Sequence, residues 1–441
     1  MRRGGLAAVV VALTAAGASA EPCFQPADVD GFASFELVAS SAHFAVHQRS
    51  GGSLVVDGLL DLLEEARADY LARGWVEPAG MDEHELNVFV DVALGGVLAR
   101  SDAAPCASSP TGFMDWMVVH SDLIDEEEVL GPVVAHELFH AIQRTLDPAL
   151  VEDNRDHLWF MEASAAYEEA LVFPEWTEAV TDRSRAWSAN PGVGLRTVDG
   201  SHEYASFVFL RAVEALHGTP DWHRGLWEGL PEDWDPIEEV LVGLDVDADG
   251  LMGEYFARGV LMDLPGPGDL VSPADDDRGI TYGVRLGNSQ PEGAAGTCDP
   301  EPDGACVLMV DFTTPRRGLT VRVSADADEG PSPWLVLGLI ERPGGGPSLV
   351  VPRDSWDVSG AEQGVSLQFD GVEPIDVAWV VLVRRADGAP ARWDIEARAG
   401  GPTLGVAQDR WQSGCSCAAS MSAPGGTGAL VPLFILVRRR R

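Results

Sequence analysis

Basic residues are scarce in this chain. Lysine and arginine together number 30 against 70 aspartates and glutamates, a formal net charge of −40 over 441 residues. A field of that sign repels nucleic acid and anionic membranes, which excludes both as ligands of the folded part. It suits solubility in an extracellular or salty medium. Long apolar runs are lacking as well: Leu6 to Ala18 and Ala429 to Val437 are both short for a stable membrane span. Cysteine is sparse, six in all, and no four are spaced as zinc ligands. A cysteine-built zinc site is thereby excluded, whereas disulfides in an oxidising compartment are not. With 46% hydrophobic residues the chain still has enough apolar material for two globular domains with cores.

The chemistry is concentrated in Val134-Ala135-His136-Glu137-Leu138-Phe139-His140-Ala141-Ile142. Residues four apart share a helix face, so His136 and His140 can grip one metal ion. Glu137, one position on, reaches a water beside that ion without ligating it. Val134, Leu138 and Ile142 recur at the same spacing and make the opposite side apolar, as a half-buried metal helix requires. Zinc enzymes that take a third histidine six residues further on are excluded. Gln143 and Leu146 stand where they need Gly and His.

A third ligand follows a polar loop, Thr145 to Asp156, that contains Pro148. A second helix then begins at Leu158, and in it Glu162 sits among Trp159, Phe160, Met161 and several alanines. An unpaired carboxylate buried in such company is costly, and a metal removes the cost. Asp153, Asp156 and His157 are poorer choices, because each has an easy solvated role in the loop. Downstream, His202 and Tyr204 open a helical stretch, Glu203 to His217. Either side chain can lean over the metal to stabilise an oxyanion; a capping or packing role fits both equally well.

The pairing of HELFHAIQ with WFMEASAAYEE resembles the gluzincin class of zinc metallopeptidases, whose third ligand is a Glu in a Trp-x-x-Glu-(Gly/Ala) helix. More narrowly it is similar to a group of secreted metalloproteases from myxobacteria and related bacteria. Specific motifs carry the resemblance from Trp116 to Gly218. It implies one catalytic zinc ion held by His136, His140 and Glu162, with Glu137 as general base, in an endopeptidase acting on peptide or protein substrates. Two departures stand out. The segment between His140 and Glu162 is longer than in many gluzincins, and Ala166 occupies the position where an acid would orient a zinc histidine. Two alternatives stay open: a surface adhesion or binding protein that keeps zinc without turnover, and an aminopeptidase.

The remainder gives the organisation. Arg2, Arg3, the apolar stretch Leu6 to Ala18 and the small-residue site Ala18-Ser19-Ala20 read as an export signal over residues 1–20. A catalytic region at 21–263 follows, of which 21–78 is either a prosegment or an integral part. Then come a Pro/Gly linker at 264–278, a β-sandwich at 279–399 and a tail at 400–441. Alternation predicts strands at Phe35–Val38, His43–His47, Glu85–Val92 and Phe113–His120, and periodicity predicts helices over Leu54–Arg73 and onward from Asp125 or Pro132. The expected fold class is an α+β zincin-like catalytic domain followed by an all-β antiparallel sandwich domain. Phe113–His120 is the expected edge strand, with Phe113, Trp116 and Val118 binding an extended substrate that pairs through its backbone.

Asp245-Val246-Asp247-Ala248-Asp249-Gly250 matches the first half of a calcium loop, but Phe256 stands where the bidentate Glu belongs. Calcium is allowed there and not required. Cys298 and Cys306 flank a short acidic loop and are expected to pair, which leaves Cys23 with Cys106 by elimination. In the tail, Cys415-Ser416-Cys417, an uncharged stretch and Arg438 to Arg441 resemble the myxobacterial C-terminal sorting signal. That resemblance implies a Gram-negative bacterium and a sorting and processing system acting at the tail, while the N-terminal signal implies export machinery acting there. The expected location is the cell surface or the medium.

Overall fold

The computed structural model describes Cys23, Val29 and residues 31–50, 55–91, 98–151, 157–176, 178–217, 221–231, 234–244, 248–261, 282–286, 293–316, 318–325, 333–341, 348–350, 356–357, 363–368, 375–385 and 391–398. The export segment 1–20, the linker 264–278 and the tail with Cys415 and Cys417 lie outside the described residues. Contacts divide the chain into two compact units, residues 1–151 and 152–441.

The first unit is built on a mixed five-stranded sheet of β1 (Phe35–Ser40), β2 (Phe44–Arg49), β3 (Leu86–Asp91), β4 (Ala99–Pro105) and β5 (Phe113–His120), ordered β1-β2-β3-β5-β4. The strands β2, β3 and β5 run parallel, while β1 and β4 pair antiparallel at the two edges. Helix α1 (Asp57–Ala72) connects β2 to β3, and α2 (Glu127–Leu146) follows β5. Parallel central strands are covered on both faces, and β3 is accordingly buried throughout its first five residues. Even Asn87, a polar position in its alternation, is fully buried; His47 Nε2 lies 2.6 Å from its Oδ1.

Two expectations are corrected here. Phe113–His120 is not an edge strand. It pairs with β3 on one flank and β4 on the other, so it has no free edge for a substrate, and Phe113, Trp116 and Val118 are core residues. The edge belongs to β4, whose sequence ARSDAAP contains no β-branched or aromatic residue to announce a strand. Helix α2, expected to be half-buried, is buried on nearly every face from Leu130 to Arg144. It packs on α1, β4 and β5. Tyr70 of α1 donates its hydroxyl to the Ala135 carbonyl at 2.9 Å, and the Phe139 ring lies 5.6 Å from Tyr70 and 4.8 Å from Trp75. Glu127 and Glu128 in the first turn and Arg144 in the last suit the helix dipole.

The second unit begins with helices α3 (Leu158–Val172), α4 (Glu178–Ala189), α5 (His202–Ala205), α6 (Phe207–His217), α7 (Asp221–Glu228), α8 (Pro236–Leu244) and α9 (Ala248–Leu261). It continues with strands β6 (Tyr282–Leu286), β7 (Gly293–Cys298), β8 (Ala305–Arg316), β9 (Gly318–Ala325), β10 (Pro333–Glu341), β11 (Ser348–Val350), β12 (Trp356–Asp357), β13 (Gln363–Gln368), β14 (Ile375–Arg384) and β15 (Ala391–Arg398). They form a sheet ordered β11-β10-β14-β8-β6, with β12 on β10, and a second sheet ordered β13-β9-β15-β7. The strictly antiparallel expectation fails at one pairing: β6 runs parallel to β8. Among the described residues no helix is long and apolar enough to cross a membrane.

Both expected disulfides form, Cys23–Cys106 and Cys298–Cys306. The loop closed by the second one rests on residues 191–197. Glu301 N donates to Gly192 O at 2.9 Å and Ala305 N to Pro191 O at 2.7 Å. Glu301 Oε2 in turn accepts Gly194 N at 2.9 Å and the Thr197 hydroxyl at 2.6 Å. The approach is close enough that a Cβ on Gly194 would lie 2.4 Å from Pro302 O, and one on Gly304 would lie 2.5 Å from Gly192 O. Arg385 ties the same loop to α9 through Asp303 and Asp249. Asp249 therefore serves as the acidic start of α9, where Phe256 is 1% exposed. The preceding Asp245 and Asp247 of the calcium-loop expectation lie outside the described residues.

Candidate metal centre

The two histidines project from the buried middle of α2 as the four-residue spacing requires, with ring centroids 4.7 Å apart and planes at 87°. His136, Glu137 and His140 are 5%, 8% and 6% exposed, a largely desolvated but reachable row. One ligand atom from each of His136, His140 and Glu162 lies within 4.8 Å of the others, close enough together to hold one metal ion. His140 Nδ1 sits 2.7 Å from Oε1 of Gln143. An amide oxygen only accepts, so with the Gln143 oxygen facing the ring the proton would sit on Nδ1, leaving the lone pair of Nε2 for a metal. Two imidazoles and a carboxylate in this arrangement fit a divalent zinc ion.

Glu162 is brought to the histidines, although not for the reason of burial. It is only partly buried on α3, and the deeply buried carboxylates of that helix are Glu168 and Glu169, each 1% exposed. Each has a specific partner. Glu169 pairs with Arg183 of α4, whose guanidinium also lies over the Tyr204 ring at 5.6 Å. Glu168 Oε1 lies 2.7 Å from His223 Nδ1 of α7. On the other ring nitrogen, Nε2, Ser164 Oγ is 3.1 Å away and Trp227 Nε1 donates at 3.1 Å. Ser164, His223 and Glu168 thus stand in the hydrogen-bond order of a nucleophilic triad. Their side chains are sealed in the core and the Trp227 N–H already faces the histidine nitrogen, so the trio ties α3 to α7 and attacks nothing.

Beneath His140, Asp115 of β5 is held by Arg144 Nε, and Arg144 Nη2 donates to Ser101 Oγ of β4 at 2.9 Å. Burial lifts the Asp115 carboxyl to about 6 even though Arg144 pulls it down. These contacts anchor α2 to the sheet. Sequence reasoning missed Gln143, Asp115, Arg144 and His223. A polar residue one helical turn past a candidate metal histidine was a readable signal for Gln143, whereas nothing local marks His223.

The other candidates separate. His157 Nε2 lies 3.0 Å from Trp234 O and its ring stacks on Trp234 at 4.2 Å, so packing accounts for it. Asp153 and Asp156 lie outside the described residues. His202 is 4% exposed; burial lowers its pKa, and Asp199 and Glu301 oppose that shift. Tyr204 belongs to α5, which packs on α3. Cys23, Cys106 and His84 also cluster, but with the two sulfurs joined there are no thiolates to bind a metal.

No protein-family model matches this chain, and a comparison with curated proteins finds no match. Among solved structures, the chain is matched to the pre-peptidase C-terminal domain of collagenase from Bacillus anthracis. That match has 8% identity and a TM-score of 0.15, and covers 26% of this chain and 94% of the domain; a likeness this slight carries no argument.

Proposed function

We propose that this protein is an exported zinc-dependent endopeptidase. The observation that carries the reading is the convergence of His136, His140 and Glu162 within 4.8 Å, with Glu137 beside them on α2. A zinc ion held by this set supplies Lewis acidity toward a water and toward the scissile carbonyl. Glu137 takes the proton of the attacking water and passes it to the leaving amine. Tyr204, on a helix packed against the one that carries Glu162, donates to the developing oxyanion; His202 is the weaker choice, being buried and facing the charges of Asp199 and Glu301.

Substrate lies along β4 in this reading, since β4 is the sheet edge next to α2. The two disulfides support folding in an oxidising compartment, and the tail's resemblance adds surface display. The test is cleavage of casein by the purified protein, with Glu137→Gln beside it. Cleavage should stop with a chelator and return with zinc. The Glu137 variant should bind zinc normally and lose at least 10²-fold in rate. A variant that cleaves at the wild-type rate would sink the assignment.

A further inference from the structure

The Nδ1 of His140 and the Oε1 of Gln143 are 2.7 Å apart on successive positions of one helix face, and Gln143 is fully buried. The direction of this contact has a chemical consequence. With the amide oxygen toward the ring, the proton sits on Nδ1 and Nε2 is free to ligate. With the amide nitrogen toward the ring, the proton would sit on Nε2 and the residue would be useless as a ligand. Metal histidines commonly give this second nitrogen to a carboxylate, which raises their basicity. Here the acceptor is neutral. The nearby carboxylate, Asp115, is engaged by Arg144 instead.

A neutral acceptor also makes sense of the site's charge. Glu137, Glu162 and Asp115 already bring three acids to this region, and a fourth at a fully buried position would lack a counter-charge in the metal-free chain. We propose that Gln143 is the positioning residue of the metal site: it holds His140 in the ligating tautomer, and its neutrality sets zinc affinity below what a carboxylate would give. This rests on the zinc reading above and deepens it.

The experiment measures zinc affinity of the full chain by chelator competition, independently of any catalysis. Gln143→Met keeps the volume and removes the acceptor; zinc binding should weaken about 10–100-fold. Gln143→Glu restores an acceptor and adds charge; it should bind zinc more tightly than wild type, while its metal-free form unfolds at lower temperature than wild type. Equal affinity in Gln143→Met and wild type would overturn the proposal and leave the zinc reading intact. A wild-type chain that binds no zinc would overturn both. If Gln143→Met fails to unfold cooperatively, Gln143→Glu decides alone: tighter binding than wild type supports the role, and equal or weaker binding refutes it.

Discussion

At the scale of single residues, α2 is governed by what its polar side chains do in a dry interior. His136, Glu137, His140, Gln143 and Arg144 are all under 9% exposed, and each needs a partner or a ligand. Arg144 is the structural member of the group. Its guanidinium reaches Asp115 on β5 and Ser101 on β4, so it both neutralises a buried acid and pins the helix to two strands. Removing one side of a buried pair leaves the other charge uncompensated, which costs about 3–5 kcal/mol. Arg144→Met should therefore lower the denaturation midpoint steeply. Combining it with Asp115→Asn should recover much of the loss, because no lone charge remains. A double variant as unstable as the single one would show that Arg144 acts through packing. The motif residues were legible because ligation imposes a spacing. Of the missed supporting residues only Gln143 left a local signal, one turn after His140; the Asp115 partner of Arg144 arrives from another strand.

At the scale of elements, the sequence marked what is amphipathic and hid what is covered by neighbours. Helices α1, α2, α3 and α6 and strands β1, β2, β3 and β5 all fall where periodicity or alternation predicts them. The alternation in β3 nevertheless misleads about burial, since Asn87 turns inward to His47 and not to water. Strand β4 was invisible because its structure comes from pairing with β5 and not from its own side chains. Helices α4, α7 and α8 were not anticipated either. The last two are short, and the rings of Trp227 and Trp234 cluster with Phe160 of α3 across sequence gaps that no local pattern spans. The edge strand yields its own prediction. The Ala103 N–H turns away from β5 and is taken by Asp102 Oδ1 at 2.8 Å, which identifies the outward-facing donors of β4. Ala103→Pro deletes one such donor without touching the ladder, as edge strands tolerate. Losing one backbone hydrogen bond of about 0.5–1.5 kcal/mol should raise KM about 3- to 10-fold with zinc content unchanged. An unaltered KM would move the substrate off β4.

At the scale of the whole molecule, the expected division after residue 263 and the observed contact division at 151/152 differ, because helices α3–α9 and the two sheets of β6–β15 belong to one unit. Residues 191–197 and the loop closed by Cys298–Cys306 make part of that union at very short range. Gly194→Ala would drive a methyl group toward Pro302 O, a backbone atom that cannot swing aside, so the variant should lose about 1–3 kcal/mol. Gly225→Ala, in α7 with nothing within 4 Å of the added carbon, should instead gain up to about 1 kcal/mol from helix propensity. Paired denaturant titrations would read the two signs, and a neutral Gly194→Ala would remove the seam from the account of stability. The seam consists largely of main-chain atoms, glycines and one carboxylate, which gives it an unusual portability. A foreign β-module carrying the Cys298–Cys306 loop with its Glu301 and Gly304, and an arginine placed like Arg385 to meet Asp249, should seat on the 191–197 segment, a socket into which different attachments can be plugged.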